Sequence, residues 1–414
     1  MTMLSPYRVL DLSDDRGLLC GQLLADLGAD VVKVEPPGGS PARAIGPFLD
    51  DTPGPERSLY WWSYNRDKRG ITLDLERPAG RELLKRLAAR ADFLIESSAP
   101  GRMAALGLGF AELEKINPAL VYVSITPFGQ DGPKALYADA DLILMAASGP
   151  LVLTGDDDRP PVRLSVPQAF LHASADAAVA ALAAHHERVR SGRGQHIDVA
   201  AQASVAMATQ SYVLAAPLGS PEARRISGGV KFAGLELPLV WPAKDGYIAF
   251  TFLFGTALGV FTRKFMEYVC AQGFCDEATR DKDWIAYAEL LFSGKEPVSE
   301  FDRVKKLVAA FTASLTKAEL LQLAVERGFL MTPVTTVEEV ARSSQLESRG
   351  YWQSVEHPQC GRAIFYPGPF AKFSATPLEY RRRAPLVGEH NREVLGEIGV
   401  SGLELERLAR EGVV

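Results

Sequence analysis

Along the first third of the chain the apolar positions switch repeatedly between two periods. Tyr7 to Leu12 is a short apolar run of strand type. From Gly17 to Leu27 the spacing becomes helical, with Leu18, Leu19, Leu23, Leu24 and Leu27 on one side. Gly28 stops that helix, and Val31 to Val34 reads as the next strand. The alternation then repeats. Gly70 to Leu75 is a strand, and Pro78 opens a helix whose face carries Leu83, Leu84, Leu87 and Ala88. A proline is at home there, because the first helical turn has no use for its missing N–H. Asp92 to Glu96 is a strand, Asn117-Pro118 ends a further helix, and Leu120 to Ile125 is a strand. Such alternation predicts an α/β fold with a largely parallel sheet covered by helices.

An Ala-rich helix follows from Phe170 to Val189, closed by Ser191-Gly192-Arg193-Gly194, and His196 to Val199 is a strand. The character changes after Pro221. Arg224 to Gly234 is rich in glycine and basic residues, Leu237 to Phe254 is strand-like around an Asp245-Gly246 turn, and 256–330 is mostly helical. These shifts place a second domain at 226–331, with 1–225 and 332–414 forming the first. Turns at Pro367-Gly368-Pro369, Thr376-Pro377 and Ala384-Pro385 precede a closing helix at Asn391 to Ile398.

Charge narrows the function. Lys and Arg total 45 against 51 Asp and Glu, a net charge of −6, so no basic field favours nucleic acid. The longest apolar run, Leu142 to Thr154, is interrupted at Ser148-Gly149-Pro150 and is too short to cross a bilayer. The first residues lack a basic stretch leading into an apolar one, so a signal peptide is not expected. Cys20, Cys270, Cys275 and Cys360 complete neither a disulfide framework nor a zinc pattern. They read as reduced thiols of a cytoplasmic protein without a metal.

Familiar nucleotide and hydrolase signatures are missing. The first turn, Ser13-Asp14-Asp15-Arg16-Gly17, has no G-x-G-x-x-G, and neither a phosphate-binding P-loop nor a G-x-S-x-G elbow occurs. Asp156-Asp157-Asp158 reads as a solvated acidic turn, His185-His186 as a solvated helix end, and His172 as a capping or satisfied buried histidine.

Five segments in order carry a resemblance: Leu23 to Gly39 (LLADLGADVVKVEPPGG), Asn65 to Leu75, Ala89 to Pro133, Arg188 to Val199, and Ala384 to Gly399 (APLVGEHNREVLGEIG). Together they resemble the class III CoA-transferases, the family of formyl-CoA and L-carnitine CoA-transferases. The resemblance implies a Rossmann-like large domain built from both chain ends, an inserted smaller domain and an interlocked dimer. It implies CoA and acyl-CoA as substrates, a carboxylic acid as acceptor and no permanently bound cofactor. The family nucleophile is an aspartate that forms an acyl anhydride and then a CoA thioester, which divides one hard transfer into easier steps. Carried onto this chain, CoA contacts fall at Lys68, Arg69, Leu73, Asp74, Ser97, Ser98, Arg102 and Lys134. A loop at Ser227, Gly228 and Gly229 would shield the substrate.

The nucleophile is where the likeness breaks. The family aspartate is expected nine residues after Pro161 and twenty-two before Gly192, and both counts arrive at Phe170. A phenyl ring is no nucleophile, and Gln168 and Ala169 supply no carboxylate. Glu76 and Ala105 stand where cations commonly serve the nucleotide phosphates. The pattern resembles the Asp-lacking subunit of two-subunit, benzylsuccinate-type members that draw on succinyl-CoA. A homologous Asp-bearing subunit is then the expected partner. Two other readings stay open: a racemase-type acyl-CoA enzyme using acid–base chemistry near His172, and a non-catalytic CoA-binding protein.

Overall fold

Side-chain alternation inside the strands decides the layering. In the structure, a computed structural model describing residues 2–219, 225–232 and 235–414, six strands form one parallel sheet. They are β1 (Arg8–Asp11), β2 (Asp30–Glu35), β3 (Arg69–Thr72), β4 (Phe93–Glu96), β5 (Val121–Thr126) and β6 (His196–Ala200). Their order is β3-β2-β1-β4-β5-β6, every neighbouring pair being parallel. Val9, Phe93, Ile95, Val121, Val123 and Ile125 point to one face, where they meet α1 (Leu18–Asp26) and the Ala-rich helix Ala169–Ser191. Leu10, Leu94 and Tyr122 point to the other. There they meet Leu83, Leu84 and Leu87 of the helix Pro78–Ala88, and Val394 and Leu395 near the C-terminus. Each fully buried leucine contributes roughly 1.5–3 kcal/mol. A sheet apolar on both faces therefore needs both helical layers, which is the doubly wound arrangement.

The Ala-rich helix lies close to the sheet because Ala169, Ala173, Ala177 and Ala181, four apart, are all fully buried. Small side chains at that spacing let the backbone approach α1 and β5. At the opposite edge, β3 is covered by the C-terminal motif. The Gly70 N–H donates to His390 Nδ1 at 3.1 Å, and the Thr72 N–H donates to Asn391 Oδ1 at 2.8 Å. This covering blocks edge-to-edge pairing there, and it ties the last of the five segments to the sheet.

The chain divides into two compact units: 1–151, 164–218 and 344–414 in the first, 152–163 and 219–343 in the second. The second unit is thus wider than 226–331. It takes in an excursion ahead of the Ala-rich helix. It contains a three-stranded sheet, Met331–Pro333, Gly246–Phe250 and Val240–Ala243, and a hairpin pairing Gly229–Phe232 with Leu235–Pro238. Its core is aromatic, with Trp241, Phe250, Phe252, Phe265, Trp284, Tyr287, Phe301 and Phe311 buried. Among the described residues, no single helix is long and apolar enough to cross a membrane.

Candidate active-site rim

The carboxyl ends of β1 and β4 meet where the strand order reverses, the usual ligand position in an open α/β sheet. At the end of β1, Asp11 is wholly buried between two lysines. Lys68 Nζ donates to Asp11 Oδ2 at 2.8 Å, to the Leu18 carbonyl at 2.9 Å and to Asn65 Oδ1 at 3.1 Å. Lys33 Nζ donates to Asp11 Oδ1 at 3.2 Å. Burial alone would raise the Asp11 pKa, but Lys33 and Lys68 outweigh it and hold the carboxyl at about 2. Burial lowers Lys68 to about 8 against the pull of Asp11.

Four of the expected CoA contacts have their side chains engaged within the protein. An ammonium has three protons, and all three of Lys68's are used inside the protein. The Arg69 guanidinium is bound by Asp30, Glu393 and Glu397. Leu73 belongs to the core. Asp74 accepts from the Glu76 N–H at 2.9 Å and from Arg77 Nε at 3.0 Å, organising the turn into the next helix. These residues build the rim from inside.

Ser97 and Ser98 follow β4. Ser97 Oγ donates to Asp14 Oδ1 at 2.7 Å and accepts the Asp14 N–H at 2.9 Å, while the Ser98 N–H donates to Glu96 Oε2 at 2.7 Å. Arg16 Nη1 donates to Asp14 Oδ2 at 3.1 Å and to the Ser97 carbonyl at 3.2 Å. Its Nε and Nη2 both reach the Asp139 carboxylate at 3.2 Å. Asp15 has its pKa raised by burial first and by Asp14 second. Arg102 is exposed and pairs with Glu76, so the acidic residue found at a cation's place neutralises a neighbouring cation as well. Lys134 is exposed.

Phe170 lies in the first turn of the Ala-rich helix, half-buried against the layer shared with α1. The head of that helix is capped from elsewhere: Asp141 Oδ1 accepts the N–H groups of Gln168 and Ala169 at 2.6 and 2.8 Å. One turn on, Ser174 Oγ donates to the Arg16 carbonyl at 3.1 Å. Phe170 therefore starts a helix whose first turns are bound to residues of the Asp14–Arg16–Asp139 network. The sequence reading missed Asp14, Arg16, Asp139 and Asp141. The only cue for Asp139 and Asp141 was their place just before the apolar helical run Leu142 to Ala147.

Three histidine and acidic features depart from expectation. His172 is exposed. His185 is half-buried, edge-on to Tyr7 with ring centroids 4.4 Å apart, and only His186 faces solvent. The acidic turn at 156–158 has specific partners in the second unit: the Ser227 N–H donates to Asp156 Oδ1 at 2.9 Å, and Lys231 Nζ donates to Asp157 Oδ2 at 2.9 Å. A cavity of about 310 Å³, lined by Glu96, Phe110, Tyr122, Ser124 and His196, lies on the sheet face opposite Phe170. Among the described residues, no group of three His, Cys, Asp or Glu side chains is placed to hold a metal ion.

The fold is a doubly wound α/β arrangement with a polar rim at the strand switch point. The model of CoA-transferase family III matches residues 4–391, and the chain belongs to that family. It is 37% identical to the succinyl-CoA:(R)-benzylsuccinate CoA-transferase subunit BbsE of Thauera aromatica, over 99% of this chain and 98% of the relative. It is 33% identical to a succinate–glutarate CoA-transferase of Agrobacterium fabrum, over 95% of both chains. Among solved structures, a CaiB/BaiF family protein from Brucella suis superposes with a TM-score of 0.82 at 29% identity, covering 96% of this chain and 99% of that one. The resemblance carried by the five segments, including the likeness to a benzylsuccinate-type subunit, is borne out.

Proposed function

We propose that this chain is the non-nucleophile subunit of a heteromeric class III CoA-transferase. Its partner is a homologous chain that carries the catalytic aspartate. The pair moves CoA from an acyl-CoA, succinyl-CoA in the leading case, to a carboxylic acid of the benzylsuccinate type, in the cytoplasm. The observation that carries this reading is Phe170 in the first turn of an otherwise intact helix, with Asp141 occupied in capping that turn. A rim gathering Asp14, Asp15 and Asp139 around a single Arg16 agrees with it, because polyanionic CoA favours cations.

In this reading the first unit is the Rossmann-like large domain and the second is the inserted one. Ser97, Ser98, Arg102 and Lys134 remain the candidate CoA contacts, and Ser227 to Gly229 the loop that keeps water from the acyl intermediate. The interlocked dimer has an apolar surface available on the first unit: Ile143, Val166, Val179, Val213 and Leu214 are exposed there. His172, the base of the racemase reading, is exposed rather than enclosed in a site that could hold an α-proton away from water.

Purified alone, the chain is expected to exchange no CoA between succinyl-CoA and benzylsuccinate. Co-expressed with an Asp-bearing homologue, it should give a stable complex that does. Turnover by the isolated chain would overturn the proposal.

A further inference from the structure

The segment 152–163 leaves the first unit, packs with the second and returns six residues before Phe170. Its acidic turn grips the glycine loop. Asp156 Oδ1 accepts the Ser227 N–H at 2.9 Å. The adjoining Arg225 guanidinium donates to the carbonyls of Asp156 at 2.7 Å, Arg159 at 2.6 Å and Val152 at 3.3 Å. Lys231, on the strand after the loop, is held by Asp157 at 2.9 Å and by Glu236 at 3.4 Å. Asp158 differs: it is exposed and pairs with its neighbour Arg159.

The loop's other side is fixed by backbone. The Gly228 carbonyl accepts the N–H groups of Leu239 and Val240, both at 2.7 Å. Gly228 has φ +62°, and a Cβ there would come within 2.9 Å of Val240 Cβ. A Cβ on Gly229 would lie 2.5 Å from the Leu237 carbonyl oxygen. Glycine at these two positions is what lets the loop lie against its hairpin. On the near side of the glycines, the hold on the loop is the Ser227 N–H bond to Asp156.

We propose that Asp156, backed by Arg225 and the Asp157–Lys231 pair, is the positioning residue for the Ser227–Gly229 loop. The excursion is a latch that keeps the loop in place while an acyl group is transferred. The inference rests on the reading above in which this loop excludes water. A released loop admits water to the acyl carbonyl. The C–O bond to water forms, the C–S bond of the thioester breaks, and the sulfur leaves with a proton as free CoA thiol. One water is consumed per thioester, and no acceptor acid receives CoA.

The test uses the co-expressed complex with succinyl-CoA and benzylsuccinate, and compares Asp156→Ala, Asp156→Asn and Asp158→Asn. Asp156→Ala is expected to raise the ratio of hydrolysis to transfer about tenfold, the scale of one lost charged hydrogen bond. Amide exchange over residues 225–231 should accelerate with it. Asp156→Asn keeps an acceptor oxygen and should restore both readouts, and Asp158→Asn should change neither. Faster exchange without a change in the ratio would overturn the role in water exclusion, and unchanged exchange would overturn the latch. If Asp156→Ala does not assemble, Arg225→Gln tests the same contacts. A wild-type complex that transfers no CoA would sink the functional reading, while the exchange measurement still decides the latch.

Discussion

Two clusters of aspartate and basic residues border the same strand ends, and they do different work. At the end of β1, Asp11, Lys33 and Lys68 are buried and mutually satisfied. Near the head of the Ala-rich helix, Asp14, Arg16 and Asp139 are partly exposed, and Arg16 is shared between two carboxylates. The residue types are alike, but burial separates the roles. A charge removed from water must be matched inside the protein, so the first cluster cannot change without cost to the fold. The second stays wet, so its members and the neighbouring residue 170 can change while the sheet stays intact. A scaffold divided this way can keep its sheet while the residues of its wet cluster vary.

The largest effect that would test this contrast is Lys68→Ala. It leaves the Asp11 carboxylate buried with one cation fewer, and loss of one partner of a buried pair costs roughly 3–5 kcal/mol. Urea unfolding would show it. A loss under 1 kcal/mol, the range of exposed pairs, would erase the distinction between the clusters.

Asp67, next in sequence, sharpens the comparison because it is a buried carboxyl paired only loosely with a cation, the partly exposed Arg381 at 3.6 Å. Its Oδ1 accepts the N–H groups of Arg381 and Arg382 at 2.6 and 2.9 Å, while Oδ2 has no partner among the described residues. Burial raises its pKa to about 6, only partly offset by those hydrogen bonds and by Arg381. A folded pKa above the unfolded one means the fold binds the proton more tightly. The associated stability is complete below the unfolded value of 3.8 and is lost as pH rises through about 6. Asp67→Asn should therefore flatten the stability profile between those values and add about 1–2 kcal/mol at pH 8. Asp11, held at about 2, has the opposite sign: its contribution is present above the unfolded value and is lost in strong acid. Thermal melts across pH, wild type against Asp67→Asn, check this. Parallel profiles would remove Asp67 as the cause.

Much of this was readable in the chain. The period switching located the six strands of the sheet to within a few residues, because the four inner ones alternate between two apolar layers and the edge strands β3 and β6 each feed one of them. The helix Leu59–Asn65 and the hairpin Gln353–His357 with Arg362–Tyr366 escaped notice. Each is short, and its order comes from packing: Trp61, Trp62, Val355 and Tyr366 share one small core. The site was less legible. Residue 170 was found by counting from Pro161 and Gly192. Basic residues, however, do not announce whether they face a ligand or a buried aspartate, and Lys68 and Arg69 turned inward. The partners of the acidic turn lie more than sixty residues away, beyond the reach of local spacing.

The smallest effect expected, and the most informative about the head of the Ala-rich helix, comes from Phe170→Asp. Half a phenyl ring's burial is lost, about 1–1.5 kcal/mol. An aspartate in the first helical turn regains about 0.3–1 kcal/mol from the helix dipole. The net loss should therefore be about 1 kcal/mol or less, far below that of Lys68→Ala. Chemistry should not return with the carboxylate. The helix's first N–H groups are already bound to Asp141, a like charge beside residue 170 that raises the new group's pKa and weakens it as a nucleophile. The exposed Arg102 is also neutralised by Glu76. Incubating the isolated variant with succinyl-CoA and then hydroxylamine should trap no acyl adduct. An adduct at residue 170, in a variant that melts like wild type, would show that positioning survives in full and that one side chain alone separates this subunit from its Asp-bearing homologues.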